Sequence, residues 1–297
     1  MSQRSAELEA ILAAVPVDFA DGNADFNAVR AMMAPFHGHP VAADLHVEIR
    51  ALGPVAAGWY THARNADSPR LAFHCHGGAF VSCPLAVYHF YGEIIARELD
   101  MRVVMPDYRL APEHVFPAAH ADCFGAYKAL LASGVRAADI CVLGESCGGS
   151  LALGMLLRAR DEGLPMPACF VSVTGWFDLS VPGVMVGRDP FLTPAWVRNR
   201  AREYSAGKLA LDDPALSPAH ADLHGLPPFY LQVGEFDTMG EGARILAANA
   251  SRAGVEVTLE PWPGMIQGWH GLVNAAVPEA RDAWAAIRRY VDARLPP

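Results

Sequence analysis

Short apolar runs in this chain alternate with longer stretches of helix-like spacing. Strands are predicted at residues 46–50, 55–62, 70–75, 102–106, 140–143, 168–173, 229–233 and 255–260. Helices are predicted at 86–99, 118–132, 147–161 and 279–293. Strand-like runs separated by helix-length segments point to an α/β architecture, a mainly parallel sheet covered on both faces. The first two strands lie close in sequence and are read as an antiparallel pair.

Two segments fit this alternation poorly. One is residues 1–45; the other is about 181–215, which carries Pro182, Pro190, Pro194 and several aromatics. Both fall where connections near the carboxyl edge of the sheet are expected, the edge at which ligands bind. They are predicted to form an N-terminal cap segment (1–45) and a cap insertion (181–215) on a main domain of residues 46–297. The charged run Arg198-Asn199-Arg200-Ala201-Arg202-Glu203 within the second is read as a solvated helix face.

The chain has 297 residues, 52% of them apolar and only 19% charged. That suits one large domain with a sizeable core and excludes disorder. The net charge of -9 and the lack of a basic run argue against nucleic acid and anionic membranes as partners. Neither a signal-peptide pattern nor an apolar stretch long enough to span a bilayer is read, so a cytoplasmic protein is expected. The six cysteines are scattered singly, which fits reduced thiols rather than a disulfide scaffold.

The sharpest local signal is Gly144-Glu145-Ser146-Cys147-Gly148, a G-x-S-x-G pentapeptide between a predicted strand and a predicted helix. Glycines on both sides let the backbone crowd through a sharp turn and force the serine out at its tip. Helix N–H groups then face the charge that develops when Ser146 attacks a carbonyl. One βαβ unit earlier, the strand at 70–75 runs into His76-Gly77-Gly78-Ala79-Phe80. Adjacent glycines there free backbone N–H groups for an oxyanion, with Gly78, Ala79 and Cys147 as donors and Gly77 shaping the turn. Losing one such donor costs about 2.7–4 kcal/mol of barrier. His74-Cys75-His76 lacks the further ligands of a metal site, and His76 is read as orienting the loop. No phosphate loop or dinucleotide fingerprint appears, so no cofactor is expected.

These motifs, with Asp107-Tyr108-Arg109-Leu110-Ala111-Pro112-Glu113-His114 and Leu226-Pro227-Pro228 running on to Gly234-Glu235-Phe236-Asp237, resemble the hormone-sensitive-lipase-like branch of the α/β-hydrolases over residues 45–295. The resemblance implies an α/β-hydrolase fold, a mostly parallel eight-stranded sheet flanked by helices with a helical cap. It also implies a serine esterase acting on short or medium acyl esters. Arg109 and Glu113 are expected to make polar contacts beneath the site. Departures are Ala79 for the usual third glycine, Glu145 for the usual aspartate and Cys147 for the usual alanine. At a helix start, Cys147 is read either as a reactive thiol or as an inert buried one.

Asp237 matches the family's acid, which orients the base; Glu235 and Glu241 are nearby substitutes. The family's histidine belongs to a Gly-Met-Ile-His-Gly-aromatic segment, and here Gly264-Met265-Ile266-Gln267-Gly268-Trp269-His270 puts Gln267 in its place. A neutral amide accepts no proton at neutral pH, and losing a triad histidine can cost about 10⁶ in kcat. Three readings follow. Gln267 is an introduced substitution that impairs an esterase; or His270 serves as an alternative base; or the chain is a non-catalytic binding protein, as plant gibberellin receptors are on a similar fold. The aromatics Phe80, Tyr88, Trp176, Trp196 and Trp269 are candidates for the substrate pocket. The expected partner is a small-molecule ester, with a homodimer through the last strand expected by analogy.

Overall fold

The computed structural model describes residues 4–15, 24–34, 42–180, 189–190 and 192–296. Its strands are β1 (Leu45–Leu52), β2 (Val55–His62), β3 (Leu71–Cys75), β4 (Arg102–Pro106), β5 (Ile140–Glu145), β6 (Cys169–Val173), β7 (Phe229–Gly234) and β8 (Val257–Trp262). They form a single eight-stranded sheet in the order β1-β2-β4-β3-β5-β6-β7-β8. β1 and β2 pair antiparallel, as do β2 and β4; every other pairing is parallel. All the predicted strands are present with small shifts at their ends.

The helices are α1 (Ala6–Ala14), α2 (Phe26–Met33), α3 (Leu85–Glu98), α4 (Ala118–Ala132), α5 (Cys147–Asp161), α6 (Pro194–Ser205), α7 (Gly240–Arg252) and α8 (Pro278–Asp292). α4 packs on α5, and α3 packs against α8. α7 was not anticipated from the sequence.

Strand alternation divides the core in two. On β3 and β5, Leu71, Phe73, Ile140 and Val142 enter one apolar cluster with Phe124, Tyr127 and Leu151. Ala72, Cys141 and Leu143 enter the other, with Ile94, Ile95, Trp284 and Ile287. Because successive side chains point to opposite faces and both are covered, these strands are apolar throughout. Each fully buried Val, Leu, Ile or Phe contributes roughly 1.5–3 kcal/mol, which gives the central strands the rigidity a site at their ends needs.

The segments outside the sheet are tied down by specific contacts. Ser5 caps α1 and its hydroxyl also reaches Glu279 of α8 at 2.7 Å. Asp25 caps α2 by accepting from Ala28 N, and Thr193 caps α6 by accepting from Trp196 N, with Pro194 in the first turn. The run 198–203 is helical, yet it is not solvated throughout. Arg200 is 1% exposed, forms a two-pronged pair with Glu203 at 2.6 Å and donates to Ala24 O at 2.8 Å. One guanidinium therefore joins α6 to the segment before α2, because its planar fork can satisfy a carboxylate and a carbonyl together. Residues 16–23, 35–41 and 181–188, which belong to the predicted cap segments, lie outside the described residues.

Candidate active site

Ser146 stands between β5 and α5 with φ 52° and ψ -127°, a left-handed φ that a serine adopts only when its surroundings enforce it. Its N–H donates to Val173 O at 3.1 Å, and its carbonyl accepts from Gly149 N at 2.9 Å and Trp176 N at 2.8 Å. The flanking glycines permit this turn. A methyl group on Gly144 would meet Gly148 O, and one on Gly148 would overlap Cys75 O. Ser146 is 8% exposed and lines a cavity of about 230 Å³.

The turn after β3 faces Ser146 across this cavity. Tyr108 stacks on His76 at 4.0 Å and donates its hydroxyl to His76 O at 2.7 Å and Gly77 O at 3.2 Å. His76 Nδ1 lies 2.7 Å from Gly77 O, and burial pushes this imidazole down to about 4, so it remains neutral. Gly78 O accepts from Val81 N and Ser82 N. Gly78, Ala79 and Phe80 all have positive φ (109°, 53° and 65°). Phe80 N–H donates to Cys147 Sγ at 3.2 Å, while Gly78 and Ala79 N–H have no acceptor among the described residues. Arg109 makes a two-pronged pair with Asp122 at 2.8 Å, and Glu113 pairs with Arg30 of α2. The segment after β4 thus braces the turn and anchors α2.

Gln267 lines the same cavity as Ser146. Its Nε2 donates to Glu145 Oε1 and Thr174 Oγ1, both at 3.4 Å, and its backbone N–H donates to Asp189 Oδ2 at 3.3 Å. Asp189 Oδ2 also accepts from Thr238 N, so it links residue 267 to the turn after β7. Asp237 begins that turn: its Oδ1 accepts from Met239 N at 2.9 Å, and its buried Oδ2 has no partner among the described residues. Burial, and secondarily the charge of Asp189, push the Asp237 carboxyl well above the ordinary carboxylate range. Glu235 is exposed and accepts from Gly264 N, so it braces the loop before Gln267.

Glu145 gave no chemical signal in the sequence, yet it is central here. It is 4% exposed, lines the cavity, and accepts from Tyr88 Oη at 2.8 Å as well as from Gln267. Burial pushes its carboxyl up to about 7, against the lowering effect of those donors and of Gly77 N–H. Thr174 was also missed. It has φ 46° and accepts from Gly268 N at 3.2 Å, fixing the loop that carries Gln267.

Of the residues predicted to form the site, Ser146, Gly78, Ala79, Gln267, Tyr88, Trp176 and Trp196 line the cavity together with Val29, Met32 and Leu192. Gly77, Cys147 and Asp237 lie behind it. Three of the predicted residues, Phe80, Trp269 and His270, do not line the cavity. Phe80 is fully buried and stacks on Tyr204 at 3.9 Å, so it is core, not cavity wall. Trp269 packs with Leu8, Met265 and Ile266 in a separate cluster. His270 is fully buried beside Trp269 and Trp284, its Nε2 donates to Gln232 Oε1 at 2.6 Å, and burial holds it down at about 3. It faces the interior on the side of α8 and does not line the cavity. The Cys147 thiol is fully buried and pushed up by desolvation, which outweighs the helix-start effect and makes it the inert alternative.

The sheet order, the serine at the β5–α5 turn and the glycine turn after β3 define an α/β-hydrolase. A family model for the alpha/beta hydrolase fold matches residues 72–271, and the chain belongs to this family. An acetyl-hydrolase of Streptomyces hygroscopicus is 34% identical over 240 residues, covering 80% of this chain and 79% of that protein. An esterase of Acinetobacter venetianus is 32% identical over 229 residues, covering 76% and 75%. Among solved structures, EstE5 soaked with ethyl alcohol superposes with a TM-score of 0.91 at 30% identity, covering 98% of this chain and 99% of its own. An esterase from the bacterial hormone-sensitive lipase family superposes with a TM-score of 0.87 at 31% identity, covering 99% and 100%.

Proposed function

We propose that this chain is a serine carboxylic ester hydrolase for short or medium acyl esters, impaired by Gln267 at the position of its general base. The observation that carries this reading is the placement of Ser146, at a strained turn, in one cavity with Gly78 and Ala79, whose N–H groups have no described acceptor. Ser146 attacks the ester carbonyl. Gly78 and Ala79 N–H, with Cys147 N–H at the head of α5, stabilise the tetrahedral oxyanion. The alcohol leaves and water releases the acid from the acyl-enzyme. A cavity of about 230 Å³ falls below the range of roughly 300–1,000 Å³ usual for drug-sized ligands, which favours small acyl groups. α2 and the segment 192–205 act as the cap, contributing Val29, Met32, Leu192 and Trp196 to the cavity wall.

We read Gln267 as a substitution of histidine within otherwise intact machinery. The unpartnered Asp237 Oδ2 supports this. An unsatisfied buried carboxyl oxygen is costly, and an imidazole N–H at position 267 is the group that a triad acid ordinarily receives.

The test is a pair of variants assayed on p-nitrophenyl acetate and butyrate. Gln267→His is expected to raise turnover by at least about 10²-fold, the lower end of what a positioned base contributes. Adding Ser146→Ala is expected to abolish the gain. No gain from Gln267→His, together with tight binding of a small molecule by the unaltered chain, would instead establish a non-catalytic binding protein.

A further inference from the structure

We infer that Glu145 is the proton acceptor for the ester hydrolysis that this chain retains with glutamine at position 267. The inference rests on the esterase reading and adds a catalytic residue that the serine–acid–histidine pattern does not contain.

The argument begins with the composition of the cavity wall. Among the described residues lining it, the side chains with a titratable or nucleophilic group are Ser82, Cys83, Tyr88, Tyr91, Glu145 and Ser146. Gln267 is neutral and no histidine is among them. Glu145 is therefore the one described group in contact with the cavity that can take a proton as an ordinary base. It precedes Ser146 in the chain, lines the same cavity, and accepts from Gln267 at Oε1 and from Tyr88 at Oε2.

The groups facing Glu145 from the surrounding elements are all shifted toward their protonated forms. Burial pushes Tyr88 and Tyr91 of α3 well above their ordinary range, raises Cys83 to about 12, and raises Cys147 and Asp237 as well. Glu145, raised to about 7, changes charge near neutral pH. That is the range in which a carboxylate is both basic enough and sufficiently ionised to act.

Gln267 gives the carboxylate its setting. Its amide nitrogen is committed to Glu145 and Thr174, which leaves Oε1 as an acceptor able to hold a water. The transfer requires one water between Ser146 and Glu145, both of which line the cavity. As Oγ bonds to the ester carbon, the Ser146 proton passes to the water and a water proton passes to Glu145. As the tetrahedral adduct collapses, the carbon–alkoxy bond breaks and the alcohol takes the proton back from Glu145. In the second half, water adds its oxygen to the acyl carbon and gives its proton to Glu145. Ser146 Oγ then departs and recovers that proton.

The experiment compares Glu145→Gln and Glu145→Asp in the unaltered chain and in the Gln267→His background, from pH 5 to 9 on p-nitrophenyl acetate, with Ser146→Ala as the blank. In the unaltered chain the Ser146-dependent rate should rise with a midpoint near 7. Glu145→Gln should lower it by about tenfold or more and flatten the rise, and Glu145→Asp should retain part of it. In the Gln267→His background Glu145→Gln should cost much less, because imidazole accepts the proton. An equal loss in both backgrounds makes Glu145 only a brace for the Gly77 turn and overturns the inference. So does an unaltered chain with no Ser146-dependent turnover when Gln267→His has it. Absence of Ser146-dependent turnover in both backgrounds overturns the esterase reading itself.

Discussion

Arg30 grips Glu113 with both prongs of its guanidinium at 2.7 Å, while its Nε donates to Val81 O at 2.8 Å and its second amino group to Ala111 O at 3.1 Å. One side chain of α2 thus holds the two segments that shape the turn after β3. Both partners are partly solvated, with side-chain exposures of 31% and 53%, so the pair itself contributes no more than about 1 kcal/mol. Arg30→Ala is expected to change the urea midpoint little and to raise KM more than it lowers kcat, because α2 carries Val29 and Met32 into the cavity. Arg30 holds the Glu113 carboxyl down at about 2. The pair's contribution is therefore intact above the unfolded carboxylate range, near 4.5, and is lost as pH falls toward 2.

Gly77 has no room for a side chain. A methyl group there would overlap Glu145 Oε2, and moving the carboxyl aside would break its bonds from Tyr88 and Gln267. Gly77→Ala is expected to cost about 1–3 kcal/mol of stability, the usual range for overpacking. It should also depress the Ser146-dependent rate in the Gln267→His background, as read by chemical denaturation and by p-nitrophenyl acetate turnover.

The raised Glu145 carboxyl makes stability depend on pH with a definite sign. Between about 4.5 and about 7 the folded chain keeps a proton that the unfolded chain has released. The Glu145 contribution to stability therefore falls as pH rises through that window and levels off above it, against the opposite contribution of the buried neutral imidazoles of His76 and His270. Glu145→Gln should remove this contribution, read as the pH-dependent difference between the urea midpoints of the two chains. Tyr88→Phe deletes a donor to the ionised form and should move the steep region to higher pH.

His270→Ala separates structure from chemistry. The ring fills space beside Trp269 and Trp284 and satisfies Gln232, so its removal should cost roughly 2–5 kcal/mol, as large-to-small core changes do. Hydrolysis by the molecules that remain folded should persist. Loss of all Ser146-dependent turnover at full folding would make His270 the base after all.

All six cysteines are buried and free; burial raises Cys83, Cys123 and Cys147 above the ordinary thiol range, and the Cys169 thiol beside Cys141, with burial, raises that one. The native chain should react negligibly with a thiol reagent over minutes, and all six should react in denaturant. Rapid native labelling of Cys147 would contradict the packing at the head of α5.

The strands, the turn around Ser146, the glycine turn after β3 and the family they define were legible in the sequence. They depend on local causes: apolar runs of strand length, and glycines wherever two backbones must cross closely. The sequence also singled out Gln267, through the resemblance of its segment to a family motif. Which side chains meet at the cavity was decided by the tertiary structure alone. Glu145 reads as an ordinary variant of its pentapeptide until α3 brings Tyr88 and the loop after β8 brings Gln267 against it. His270, three residues beyond Gln267, turns into the core and bonds Gln232, and Arg200 leaves a charged stretch to join Ala24. Sequence spacing fixes periodicity along one element. Facing partners come from elements far apart in the chain, and the energy of burying and pairing polar groups selects among them only once those elements have packed.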